Sequence, residues 1–136
     1  MMRSRKLLAV GYGIDLTRRE LQSNLKDRGL PWERAKAFDG AACFSDFIPL
    51  DGIEIESLSL QLEINGELRQ DGGYVLMMHK PDQILREIQQ FMTLEDDDII
   101  MTGTPKGVGQ VSPGDRFIGR IKTGDKVLIS HQWLAE

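Results

Sequence analysis

Cysteine is nearly missing from this sequence: Cys43 is the only one in 136 residues. One thiol excludes an internal disulfide and suits a reducing cytoplasm. With no basic partner identifiable for it, Cys43 reads as an inert buried thiol rather than a nucleophile. Histidine is scarce as well. His79 and His131 are the only two; His79, with no second ligand nearby, reads as structural, and nothing argues for catalysis at His131. No apolar run approaches the roughly 20 residues of a membrane-spanning helix. The opening MMRSRKLLAVGYGID has a basic head, but glycines break its short apolar run and Asp15 ends it, with no A-x-A pattern behind. The expectation is a soluble protein that meets no membrane. Positive charge is not in excess either. Lysine and arginine number 17 against 21 acids, a net charge of −4, and they are scattered without an aromatic ladder. Nothing here suits nucleic acid.

What is present is enough for one domain with a real core, since 40% of the residues are hydrophobic. Residues 11–40, GYGIDLTRRELQSNLKDRGLPWERAKAFDG, concentrate the chemistry. Leu7–Ile14 reads as a buried strand, and Asp15 stands where it gives way to a helix. Thr17 and Glu20 form the T-x-x-E pattern of a capping box, with Leu16 and Leu21 as a hydrophobic staple. The helix is expected to run to Arg28, with Gly29 as a left-handed stop and Pro31 barring continuation. Leu21 and Leu25 share one face; Arg19, Gln22 and Lys26 share the other. That second face is either solvated or an anion site. Free amides at a helix N-terminus and the fork of Arg19 both suit an anion. Asp15 beside them suits an anion only if a cation lies between. Lys36, in RAKAFDG, either runs its stem along the surface or neutralises an enolate or oxyanion in a pocket.

Further along, residues 40–57 read as irregular, and the Glu54-Ile55-Glu56 pair within them as ordinary solvated residues. Residues 58–64 alternate, with Leu58, Leu60, Leu62 and Ile64 inward, and Asn65-Gly66 is a type I′ turn returning through ELRQ. Arg69 reads as a surface residue. Tyr74–Met78 suits a strand or a helix entry. Pro81 opens a helix expected to reach Met92, with Ile84, Leu85, Ile88, Phe91 and Met92 on one apolar face. TLEDDD lacks calcium-loop spacing and reads as an acidic turn into a strand, Asp98–Thr102. GTPKGVG, residues 103–109, is neither a Walker loop nor a dinucleotide fingerprint; it marks backbone that must approach something closely. Strands Arg116–Ile121 and Lys126–Trp133, joined through Thr123-Gly124-Asp125, complete the pattern.

Four segments together, GIDLTRRELQ, GLPWERAKAFD, NGELRQ and TGTPKGVG, resemble the fumarylacetoacetate hydrolase family, closest to its acylpyruvase and fumarylpyruvate hydrolase branch. The resemblance implies an α+β, β-rich fold: a mixed β-roll or sandwich with two helices. It implies that Asp15 ligates a divalent metal, Mg2+ or Mn2+. Arg19 and Gln22 would hold substrate, Lys36 would stabilise metal and substrate charge, and Thr104, beside Gly103, would contact substrate from the glycine loop. The implied activity is metal-assisted hydrolysis of a C–C bond in a β-diketo acid such as an acylpyruvate. Oxaloacetate decarboxylation or tautomerisation is a related alternative, and an inactive remnant another. The resemblance further implies a homodimer, and a catalytic domain whose E-x-E carboxylates and histidine–glutamate pair would lie upstream of Asp15. Against that pattern the chain reads as one incomplete domain, truncated at its amino-terminal side.

Overall fold

The computed structural model describes residues 6–136. They form a β-rich α+β structure with eight strands and two α-helices among the described residues. Two compact units emerge. One contains the described residues up to Tyr12 together with Asp46–Glu136; the other is Gly13–Ser45.

The larger unit is built on a four-stranded antiparallel sheet. Strands β5 (Leu58–Ile64) and β6 (Glu67–Gly73) form the expected hairpin, and β7 (Arg116–Thr123) and β8 (Lys126–Leu134) a second one. The strand order is β6-β5-β7-β8. At the first turn Asn65 and Gly66 both take positive φ, 54° and 81°, as a type I′ turn requires. Asn65 is tied down further: its side chain donates to Asp115 at 2.8 Å and accepts from the Arg116 amide at 2.9 Å. The core of this unit is Tyr12, Leu62, Phe117, Ile121 and Ile129. Tyr12 packs its ring over Gly119, where a Cβ would stand 2.6–2.8 Å from three ring carbons. Trp133 lies beside the same ring at 5.9 Å, and His131 lies 4.5 Å from Trp133. The expected alternation on β5 is blunted, because its polar residues are also half-covered. Gln61 bonds Asp71, and Glu63 pairs with Arg120 at 3.0 Å.

The remaining elements of this unit correct several expectations. The strand read over Leu7–Ile14 is two: β1 (Ala9–Val10), paired with β4 (Ile48–Pro49), and β2 (Gly13–Asp15), which belongs to the other unit. Gly11 stands at the break, where a Cβ would lie 2.9–3.0 Å from the Phe47 ring. Residues 40–57, read as irregular, hold two short strands whose partners lie about 30–40 residues away. Glu54 and Glu56 are exposed around a 3-10 turn, Ile55–Ser57. Tyr74–Leu76 is likewise a 3-10 turn. Helix α2 (Pro81–Ile88) starts at its proline as expected but stops four residues short of Met92. Phe91 and Met92 are exposed rather than on a buried stripe. Asp98–Thr102 is not a strand: Asp97 adopts φ 73°, and the Asp98 carboxylate accepts from the Glu95 amide, which closes a turn.

The smaller unit is a strand pair and a helix. In it β2 pairs with β3 (Ala42–Phe44), Asp15 opposite Ala42. Helix α1 (Arg19–Asp27) follows. Its carboxyl end is a full Schellman motif: Leu30 N–H donates to Leu25 and Gly29 N–H to Lys26, with Gly29 at φ 64°. Lys26 also stands over the Trp32 ring at 4.6 Å.

Candidate functional site

The geometry of the smaller unit starts from two backbone bonds. Leu16 N–H donates to Ala41 at 2.7 Å, and Arg18 N–H donates to Ala35 at 2.9 Å. They bind the segment leaving β2 to the segment that carries Lys36. Ala35 is fully buried, so the chain at that point cannot shift outward without opening a cavity. Lys36, the next residue, therefore reaches back along the strand exit. Its ammonium donates to the Asp15 carboxylate at 2.5 Å and to the Thr17 hydroxyl at 2.9 Å.

This corrects the capping box. Thr17 caps nothing: α1 begins at Arg19, its N-cap is Arg18, and no side chain caps it. Arg18 instead lays its guanidinium over the Phe38 ring at 4.4 Å. The Thr17 hydroxyl is held by Lys36. Its signal was present in the sequence, since Asp15 and Thr17 are two apart and an extended chain puts them on one side. Gln22 departs from the solvated-face reading as well. It is the one buried residue of α1, 8% exposed, while Leu21 and Leu25 are only half-covered.

The Lys36–Asp15 pair is not deeply sequestered; the two side chains are 31% and 49% exposed. A pair this open contributes only about 0–1 kcal/mol to stability. Its consequence is chemical. A carboxylate, a hydroxyl and an ammonium converge where an incoming anion or cation could engage them, and Arg19 stands at the head of the following helix. As a cation site the set is incomplete. Asp15 offers the hard oxygen that magnesium or manganese prefers. However, no group of three histidine, cysteine or acidic residues able to hold a metal occurs among the described residues. Asp15 fits as one ligand, not as a whole site.

Gly103 and Thr104 belong to the larger unit. Their loop, residues 103–109, lies against β6. Gln70, 8% exposed, donates from its amide to the Thr104 hydroxyl at 2.7 Å and to the Pro105 carbonyl at 2.8 Å. Gly107, at φ 107°, sits so close to the Arg69 carbonyl that a Cβ there would overlap it. The close approach expected of this loop is therefore to the protein's own strand. Gln70 is a residue that sequence reasoning missed. It stood in the quoted NGELRQ segment, but its partner is 34 residues away.

No helix among the described residues is long and apolar enough to cross a membrane. The lone thiol, Cys43, is half-buried in β3.

Comparison with known proteins agrees with this architecture. The model of the fumarylacetoacetate (FAA) hydrolase C-terminal family matches residues 9–132. A fumarylpyruvate hydrolase of Ralstonia is 35% identical over 117 residues, 85% of this chain and 61% of that protein. The oxaloacetate tautomerase YcgM of Escherichia coli is 43% identical over 117 residues, 83% of this chain and 53% of its own length. The crystal structure of fumarylpyruvate hydrolase from Pseudomonas aeruginosa in complex with Mn2+ and pyruvate superposes with a TM-score of 0.81 at 30% identity, covering 95% of this chain and 55% of that one. The chain thus spans between half and two-thirds of the length of these relatives. With the family model matched from β1 into β8, and the fold shared with a solved member, this chain belongs to the fumarylacetoacetate hydrolase family.

Proposed function

We propose that this chain carries keto-acid-binding machinery of a divalent-metal-dependent hydrolase that cleaves a C–C bond in a β-diketo acid of the acylpyruvate or fumarylpyruvate kind. The observation that carries the reading is the convergence of Lys36 on both Asp15 and Thr17. Relatives that act on fumarylpyruvate and oxaloacetate, and a solved relative holding Mn2+ and pyruvate, support the substrate class.

In this reading Asp15 is one ligand of Mg2+ or Mn2+. The bound ion would polarise the keto-acid oxygens. The chain's own residues do the rest. Arg19 offers a bidentate fork to the substrate carboxylate from the first residue of the helix it heads. Gln22 adds an amide whose burial limits its rotamers. Lys36 supplies a positive charge at a fixed point beside Asp15 and steadies an enolate as it forms. Before substrate arrives, Thr17 and Asp15 hold that ammonium in place, so little reorganisation is needed when charge develops. Thr104, with Gly103 giving the backbone room, is proposed as a further substrate contact. Two copies of the chain are proposed to associate, which light scattering would test.

The reaction type has a second candidate, oxaloacetate tautomerisation, favoured by the 43% identity to YcgM. It uses the same enolate stabilisation without bond cleavage. The experiment follows the ultraviolet absorbance of an acylpyruvate and, separately, enol-to-keto conversion of oxaloacetate, with Mg2+ or Mn2+ present. The expected result is turnover that Asp15→Ala abolishes. Equal turnover by both proteins overturns the role of Asp15, and no turnover of either substrate overturns the enzyme reading for this chain acting by itself.

A further inference from the structure

We propose that Gln70 is a positioning residue that makes the Thr104 hydroxyl a hydrogen-bond donor toward a carboxylate or carbonyl oxygen of a bound keto acid. The inference rests on the functional reading above for the identity of the ligand, and on three contacts for the positioning.

A hydroxyl has one proton and two lone pairs, so its polarity is set by what it is already bonded to. The Gln70 amide nitrogen can only donate. At 2.7 Å it occupies a lone pair of Thr104 Oγ1, and at 2.8 Å its other hydrogen reaches the Pro105 carbonyl. Both amide hydrogens are thereby used within one loop. The Thr104 proton is left to the exposed side, where its protein acceptor is the Pro105 carbonyl at 3.4 Å, a long and weak bond. An oxygen offered by a ligand competes easily with that contact. A donor bond into Oγ1 also polarises the O–H and strengthens what it donates.

The amide itself cannot turn away. Gln70 is buried in β6, opposite Leu62 of β5. The loop is held to the same strand on either side of it. Gly72 meets Pro105 so closely that a Cβ would lie 2.8 Å from the proline ring, and Gly107 lies against the Arg69 carbonyl. Gly107 in the loop and Gly72 in β6 thus allow the loop to approach β6 near enough for Gln70 to reach it. Glycine at 107 and glutamine at 70 act as one device.

Two measurements test this. In the wild-type chain the two Gln70 side-chain amide protons are expected to give separate, slowly exchanging NMR signals. Thr104→Val should move one and spare the other, and Thr104→Ser should restore it. Indifference of both signals to Thr104→Val overturns the hydrogen bond. The second measurement is titration with pyruvate in the presence of Mg2+, which is diamagnetic and leaves nearby signals sharp, read at the Thr104 methyl. Wild type should respond, and Gln70→Glu, whose carboxylate captures the Thr104 proton, should bind about tenfold more weakly. Equal affinity overturns the assigned polarity. Pyruvate that moves signals around Asp15 but not Thr104 overturns this inference alone; pyruvate that moves nothing overturns it together with the functional reading.

Discussion

Adding one methyl group at Gly119 tests the packing of the larger unit. A Cβ at this position would stand 2.6, 2.7 and 2.8 Å from Cδ1, Cε1 and Cγ of Tyr12. Carbon atoms in good contact sit about 3.5–4.0 Å apart, so the ring must retreat by about 1 Å. It has little freedom to do so. Cγ is anchored one bond from the side-chain root, Tyr12 is 5% exposed, and Trp133 flanks the ring at 5.9 Å on the same face of the sheet. Overpacking of this kind costs about 1–3 kcal/mol. Alanine returns about 0.4–1 kcal/mol by restricting the unfolded chain, since Gly119 does not need a positive φ. The expected net loss for Gly119→Ala is therefore about 1–2 kcal/mol. With a urea slope of about 2 kcal/mol per M, the midpoint should fall by about 0.5–1 M at unchanged slope. In a Tyr12→Ala background the same substitution should cost nothing or stabilise, a coupling of about 1–3 kcal/mol. A midpoint that stays or rises in the wild-type background would refute the claim that the ring is pinned.

Burial pushes the Tyr12 hydroxyl up to about 12 from its ordinary 10.0. The folded form keeps its proton after the unfolded chain has lost it, so this contribution to stability is whole below about pH 10 and falls away between about pH 10 and 12. Tyrosinate absorbance should show a step near pH 12 that unfolding moves down, and a native protein without that late step contradicts the burial. Gly107→Ala should detach the loop from β6 rather than unfold the sheet, because it combines φ 107° with the Arg69 carbonyl. The Gln70 side-chain amide protons, bonded to Thr104 and Pro105, should exchange faster with little change in melting temperature; unchanged exchange would refute the close approach. Arg19→Lys replaces a planar fork with a point charge and should raise KM for a keto acid about tenfold or more with folding intact. Unchanged saturation removes Arg19 from the substrate contact.

Local sequence alone was enough for several elements. Asn65-Gly66 between alternating strands determined a hairpin, because that pair tolerates two positive φ values in succession. Gly29 ahead of Pro31 determined where α1 ends, and Pro81 where α2 begins. The family, too, was legible in four short segments, and with it the expectation that Asp15 and Lys36 belong together. What the tertiary structure alone decided were the questions with a distant partner. A T-x-x-E pattern is a cap only if nothing outcompetes the amide for the hydroxyl, and Lys36, 19 residues on, does so. Leu7–Ile14 is one apolar run, but its two ends pair with different strands, a choice made by the long-range ladder rather than by the residues themselves. A glycine loop announces that backbone comes close to something; only the fold could name β6 and Gln70 as what it approaches. Periodicity and capping act over a few residues, whereas hydrogen-bond competition and packing act between groups that the chain brings together only once it has folded.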